Sequence, residues 1–278
     1  MTVIAITREI GTRGLDVANG LGKRLGLNVV NDELIERDIA RLTGVSDDVV
    51  HRYFDGTASL LERWRTDEKQ LSETTTEEVL ALAAKGNVVI RGWGAPYLLR
   101  DIPHVVCARI CAPISDRAKE LVERGLAPDA AVARKLIGQQ DAANDRVMRR
   151  LFGTDGRDAL LYSLVLNTAR LGMEHCIEQI VSTASAEAFQ PTVQSRRTLL
   201  DKLVLHRVRA KLEKNFGSDQ QRFTQIHAEV EEGRVTLSGQ SLFAEVNEIA
   251  AGLVREVDGV VDVHSGITVL PYYRRHAA

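Results

Sequence analysis

The chain opens with a short apolar run rich in β-branched residues, Val3-Ile4-Ala5-Ile6-Thr7. It continues through Arg8-Glu9-Ile10-Gly11-Thr12-Arg13-Gly14 into a helical repeat at Leu15, Ala18, Leu21 and Leu25. The order is strand, tight loop, helix. A glycine-containing turn in that place can aim successive backbone N–H groups at an anion, and the helix N-terminus adds favourable potential. Gly11 and Gly14 allow close approach of a phosphate. A strict G-x-x-x-x-G-K-[ST] loop also needs a lysine and a hydroxyl residue, and neither is present. The residues alone leave two readings open, a phosphate cradle and an ordinary strand-to-helix turn.

Further strands are expected at Val88 to Arg91, Val105 to Ile110 and Leu161 to Leu166, with a short edge strand at Leu27 to Val30. Helix-compatible segments separate them, which indicates a parallel sheet covered on both faces. Leu34 to Ala84 reads as helical, divided at Gly44 and Gly56, with Thr74 to Glu77 as a capping signal for a helix that ends near Ala84. Helices at Ser115 to Gly125 and Pro128 to Leu151 fall between the last two strands and form a candidate mobile lid. The chain is expected to divide into a larger domain at 1–182, a linker at 183–197 that contains Pro191, a small domain at 198–271 and a tail at 272–278.

Charge narrows the function. The 36 Lys and Arg balance 38 Asp and Glu to a net charge of -2, so no global positive field draws nucleic acid or an anionic membrane, and specific nucleic-acid binding is not expected. No apolar run approaches the roughly 20 residues of a membrane span. Met1 is followed by no basic region, long apolar segment or small-residue cleavage site, and the odd set Cys107, Cys111 and Cys176 makes no disulfide framework. A reducing, cytoplasmic location is therefore expected. Cys107 and Cys111 share one strand face about 13 Å apart, too far for one metal centre, and read as core thiols. His175 and Cys176 are adjacent on a helix and diverge, so no hydrolytic triad forms. His51, beside Arg52, reads as packing between helices, with an acceptor-side surface as the alternative.

The string Ile4 to Gly14 resembles the start of the cytidylate-kinase-like family, a branch of the P-loop nucleoside monophosphate kinases whose loop runs close to I-S-R-E-Y-G-S-G-G-R. The resemblance continues at Asn31-Asp32-Glu33-Leu34-Ile35, at Val89-Ile90-Arg91-Gly92-Trp93-Gly94-Ala95, at Leu99-Arg100-Asp101, at Ala112-Pro113-Ile114-Ser115-Asp116-Arg117 and at Leu166-Asn167-Thr168. It implies a five-stranded parallel sheet with a helical lid, and ATP-dependent phosphoryl transfer to a nucleoside monophosphate, CMP or a related nucleotide, with Mg²⁺. No protein metal-ligand set is expected. By the resemblance, Arg8, Glu9, Gly11, Thr12 and Gly14 hold donor phosphates. Arg13, Arg146 and Arg149 supply catalytic charge, and Asp32, Gly92, Gly94, Arg109 and Asp141 face the acceptor.

Several positions depart from the family. Gly14 stands where an ordinary P-loop has lysine, Arg13 where the family has glycine and Leu15 where it often has arginine. Trp93 replaces an arginine, and the lid reads Asp141-Ala142-Ala143-Asn144 where the family resembles D-K-x-R. Phosphoryl transfer depends on positive groups around the transferring oxygens. The departures therefore admit an alternative, a catalytically degenerate nucleotide-binding regulator.

The segment from about Thr198 to Leu270 reads as helix at Leu199 to Leu212, strand at Ile226 to Val230, turn at Glu232-Gly233, strand at Val235 to Leu237, helix at Ser241 to Val257 and strand at Val260 to Leu270. Its glycine positions, Gly233-Arg234-Val235-Thr236-Leu237-Ser238-Gly239 and Gly259-Val260, resemble a BON domain. Gly239 is expected to turn the second strand into the following helix. The resemblance implies an attachment module for a protein partner, small ligand or lipid, with no catalytic centre. Its 11 basic and 11 acidic residues from Arg197 onward cancel.

Overall fold

The computed structural model describes residues 1–54, 68–92, 94–217 and 224–270, in two compact units, Met1–Ser195 and Arg196–Ala278. In the first, β1 (Val3–Arg8) leads into α1 (Gly14–Leu25), and β2 (Asn28–Val30) into α2 (Asp32–Thr43) and α3 (Asp47–Phe54). After α4 (Glu68–Lys85) come β3 (Val88–Arg91), α5 (Ala95–Leu99), β4 (Val105–Cys111), α6 (Ile114–Glu123) and α7 (Ala130–Phe152). β5 (Leu164–Asn167) and α8 (Thr168–Ser185) follow. The five strands are parallel in the order β2-β3-β1-β4-β5, with Val3 opposite both Val88 and Val105.

Val3, Ile4, Ala5 and Ile6 are all fully buried because β1 is the central strand and both its faces are covered. Ile4, Ile6, Val106, Ala108 and Ile110 face α1 and α8, through Val17, Leu21, Cys176 and Ile177. Alternate residues face α4 and α5, and there the Cys107 thiol donates to the Pro96 carbonyl at 3.5 Å. Each fully buried Val or Ile contributes roughly 1.5–3 kcal/mol. The lid helix α7 starts at Asp129, whose carboxylate accepts from the amides of Ala131 and Val132 at 2.8 and 2.9 Å. It stops at Gly153, which takes a left-handed conformation.

Two expectations need correction here. Thr74 to Glu77 does not start a helix but lies inside α4, where the Thr75 and Thr76 hydroxyls donate back to the carbonyls of Leu71 and Ser72 at 2.7 and 2.8 Å. The fifth strand begins at Leu164, not Leu161, because Asp158 caps a 3-10 turn at Ala159–Leu161 that leaves Leu160 90% exposed. Residues 183–197, expected as linker, hold the end of α8, a 3-10 turn at Glu187–Phe189 and the first turn of α9 (Val193–Phe216), and the division between the two units falls within them, after Ser195. Gly56 and the 272–278 tail lie outside the described residues.

In the second unit α9 is followed by β6 (Thr224–Glu231), β7 (Arg234–Ser241), α10 (Val246–Arg255) and β8 (Asp262–Val269). β6 and β7 pair antiparallel, and β8 joins β7 in parallel. The hairpin turn puts Glu232 and Gly233 at positive φ, and Asp201 of α9 accepts both their amides at 2.9 Å. Val208, Leu237, Ala250 and Val254 form the centre of the core. Ser241 does not begin the second helix. It ends β7, buried, with its hydroxyl against Thr224 at 3.0 Å. Gly239 likewise stays within β7, in register with Ile226 and Ile267, and makes no turn. No helix among the described residues is long and apolar enough to cross a membrane.

Candidate active site

Strands of a parallel sheet all end on one side, and ligands of such folds gather outside those carboxyl ends. Here that edge opens into a cavity of about 590 Å³. Arg8 and Glu9 reach it from the end of β1, Arg91 and Gly92 from β3, Arg109 from β4, and Asp141, Asn144 and Met148 from α7.

A connected set of charges forms its floor. Glu9 accepts from Arg109 Nη2 at 2.7 Å through one carboxylate oxygen and from Arg117 Nη1 at 3.2 Å through the other. Arg117 in turn grips Asp141 with both ends of its fork, at 2.9 and 2.6 Å, and donates through Nε to the Ile10 carbonyl at 2.7 Å. Only 3% of the Arg117 side chain is exposed, so each of these charges is matched at short range. Arg109 also donates to the Gly156 carbonyl at 3.1 Å. Burial opposes its charge, but Glu9 more than compensates and holds the guanidinium above its ordinary pKa.

The Gly156 carbonyl accepts a second bond, from the Tyr162 hydroxyl at 2.6 Å. Burial pushes that hydroxyl up to about 12. Its folded value thus lies above the ordinary value of about 10. The difference stabilises the fold below pH 10 and is lost as the pH rises toward 12, where the unfolded chain releases the proton first. The urea midpoint of the wild type should therefore fall between pH 10 and 12 by more than that of Tyr162→Phe. Parallel curves for the two proteins would show that Tyr162 carries none of the effect.

The loop between β1 and α1 is tightly turned. Gly11 sits at φ +78°, where a Cβ would lie 2.7 Å from the Arg117 carbonyl oxygen. A side chain there meets both backbone strain and a backbone clash. Thr12 is buried, with its amide and hydroxyl both directed to the Glu9 carbonyl, at 3.3 and 2.7 Å. The side chain of Arg8 lies across Gly14, against the first turn of α1.

The expected residues separate into two groups. Arg8, Glu9, Gly92, Gly94, Arg109 and Asp141 come together on the cavity, with Gly11, Thr12 and Gly14 forming the turn beside it. Arg13, expected to meet phosphates, instead turns to Asp16 and Glu120, at 3.1 and 3.6 Å, in a surface cluster that Arg124 completes. Burial raises the Asp16 carboxyl, and hydrogen bonds from Arg124 and Arg13 outweigh it and hold it below its ordinary pKa. Arg13 adopts a left-handed conformation, φ 58°, at the N-terminus of α1. Arg146 and Arg149 also miss the cavity. Helical periodicity gives it Asp141, Asn144, Asp145 and Met148, leaving Arg146 exposed and pairing Arg149 with Asp155 at 3.1 Å. The side chain of Asp32, and Trp93, lie outside the described residues.

Arg117 and Tyr162 are cavity residues that spacing alone did not assign. Arg117 stands in a quoted motif, yet nothing local marks its partners, which lie 24 and 108 positions away. His51 lines the cavity wall and meets Glu36 at 2.9 Å. Among the described residues there is no cluster of three or more His, Cys, Asp or Glu able to hold a metal ion.

The model of the cytidylate kinase-like family matches residues 3–170, and that of the BON domain matches residues 201–271. A cytidylate kinase from Ignicoccus hospitalis is 30% identical over 188 residues, covering 65% of this chain and 97% of its own. One from Pyrobaculum aerophilum is 23% identical over 177 residues, covering 64% and 89%. Among solved structures, an uncharacterized protein from Eubacterium ventriosum aligns with a TM-score of 0.52 at 18% identity, over 66% of this chain and 97% of that one, a likeness of fold alone.

Proposed function

Starting from a chain that belongs to the cytidylate kinase-like family, we propose that it transfers the γ-phosphoryl group of ATP to a nucleoside monophosphate, CMP, in the cytoplasm. The observation that carries this reading is the convergence of Arg8, Arg91 and Arg109 from three strand ends on one cavity beside the glycine loop. The transferring phosphoryl group spreads charge over its oxygens, and fixed cations around it lower the barrier with little reorganisation.

Arg8, lying across Gly14, and Arg109, braced by Glu9, are the cations we assign to the phosphates; Arg13 is committed elsewhere. The donor set suits Mg²⁺ brought in by the nucleotide better than a resident ion. Glu9, Asp141, Asp145 and Asp155 on the cavity are each held by an arginine. Mg²⁺ keeps most of its ligands as water and phosphate oxygens, and when bound it would offset the negative charge of the phosphate groups during transfer. CMP as acceptor rests on the names of relatives that are 23–30% identical. The BON unit is assigned to attachment, to a protein, small ligand or lipid.

A coupled assay with ATP-Mg²⁺ and CMP, dCMP, UMP, AMP and GMP tests the reading. CDP production is expected to be fastest. Faster turnover of another monophosphate reassigns the acceptor, and no diphosphate from any of them removes the kinase reading in favour of a nucleotide-binding regulator.

A further inference from the structure

An arginine carries five N–H donors, and Arg117 spends four hydrogen bonds on protein groups: Ile10, Glu9 and, twice, Asp141. With its side chain buried, it has little left to offer a substrate. What it does offer is a connection. Ile10 and Glu9 belong to the loop after β1, and Asp141 sits at the middle of α7, just where that helix begins to line the cavity. The main chain of Arg117 packs on the same loop, leaving room only for glycine at position 11.

Glu9 extends the connection. Its second oxygen holds Arg109, which reaches the Gly156 carbonyl beyond the end of α7. The cavity-facing stretch from Asp141 to Gly156 is thus tethered at both ends to one loop carboxylate. Charge-assisted and buried bonds of this kind are short, directional and costly to leave half-made. A displacement of Glu9 is therefore transmitted to both ends of the stretch.

We propose that Arg117 is a positioning residue that couples the loop after β1 to the lid helix, with Glu9 as the shared anchor and Asp141 as the point of attachment, so that filling the loop sets the lid. Its consequence for turnover rests on the kinase reading above; the coupling itself does not.

The test uses the full chain and the variants Asp141→Asn and Arg117→Lys, which keep size while breaking the paired fork. Hydrogen exchange is followed in the segments 9–16 and 139–156, with and without ADP-Mg²⁺. In the wild type ADP is expected to slow exchange in both segments. In either variant exchange without nucleotide rises several-fold in both, and ADP protection is confined to the loop. Protection that still reaches 139–156 in the variants, or a rise in one segment only, overturns the coupling. Should the wild type bind no ADP, the kinase reading fails while exchange without nucleotide still decides the coupling. In the active enzyme kcat falls on the order of 10-fold or more in each variant, since small misplacements are costly, while both KM values change by less than about 3-fold. A loss confined to the monophosphate KM would instead place Asp141 in direct contact with the acceptor and overturn its positioning role.

Discussion

Arg109→Ala is expected to lower kcat/KM for phosphoryl transfer by on the order of 10²–10³-fold, the range lost when one preorganised donor to a developing negative charge is removed. The side chain projects from an inner strand, β4, is only 16% exposed, and is fixed by Glu9 on one side and the Gly156 carbonyl on the other. It therefore meets a ligand without first being ordered. Arg109→Lys keeps the charge but cannot span both partners, so it should recover only part of the rate. Steady-state kinetics at saturating ATP and CMP, with a thermal-unfolding control for fold integrity, provide the measurement. An alanine variant within about 3-fold of wild type would remove Arg109 from the phosphate site.

Gly239→Val carries the largest expected loss of stability. A Cβ at position 239 would lie 1.9 Å from the Gln225 carbonyl oxygen and 2.9 Å from its carbon, and the backbone there has φ +140°. The obstructing atoms are main chain of the paired strand, so no rotamer change relieves the clash. Backbone strain and broken strand pairing together cost at least ~3 kcal/mol. Exchange protection across 224–269 should collapse in this variant while the segments of residues 3–170 keep theirs. Retention of the protected β6 and β7 amides would mean that the hairpin shifts register to accept the side chain.

Local chemistry made much of this architecture legible. The runs at Val3 to Thr7, Val88 to Arg91 and Val105 to Ile110 lie within observed strands because β-branched residues fit a sheet buried on both faces. Where the reading erred, a local preference lost to context. Leu161 looks like the start of a strand, but Asp158 captures the Leu160 amide and turns the chain first. Thr74 to Glu77 looks like a capping signal, but the helix runs through it and the Thr75 and Thr76 hydroxyls bond back along it. The glycine at 239 was legible as special, and only its partner strand shows why.

Sequence by itself determined the parallel sheet, the glycine turn and the αββαβ order of the second unit, because periodicity and turn chemistry act over a few neighbours and need no distant partner. Tertiary structure alone decided which cations face the cavity. Arg13 carries the right charge in the right loop, yet the nearest carboxylates, Asp16 and Glu120, claim it. Arg109 and Arg117 are brought to Glu9 across about a hundred residues of chain. Charges interact through space, and their pairing is settled only when the strands and helices that carry them have packed.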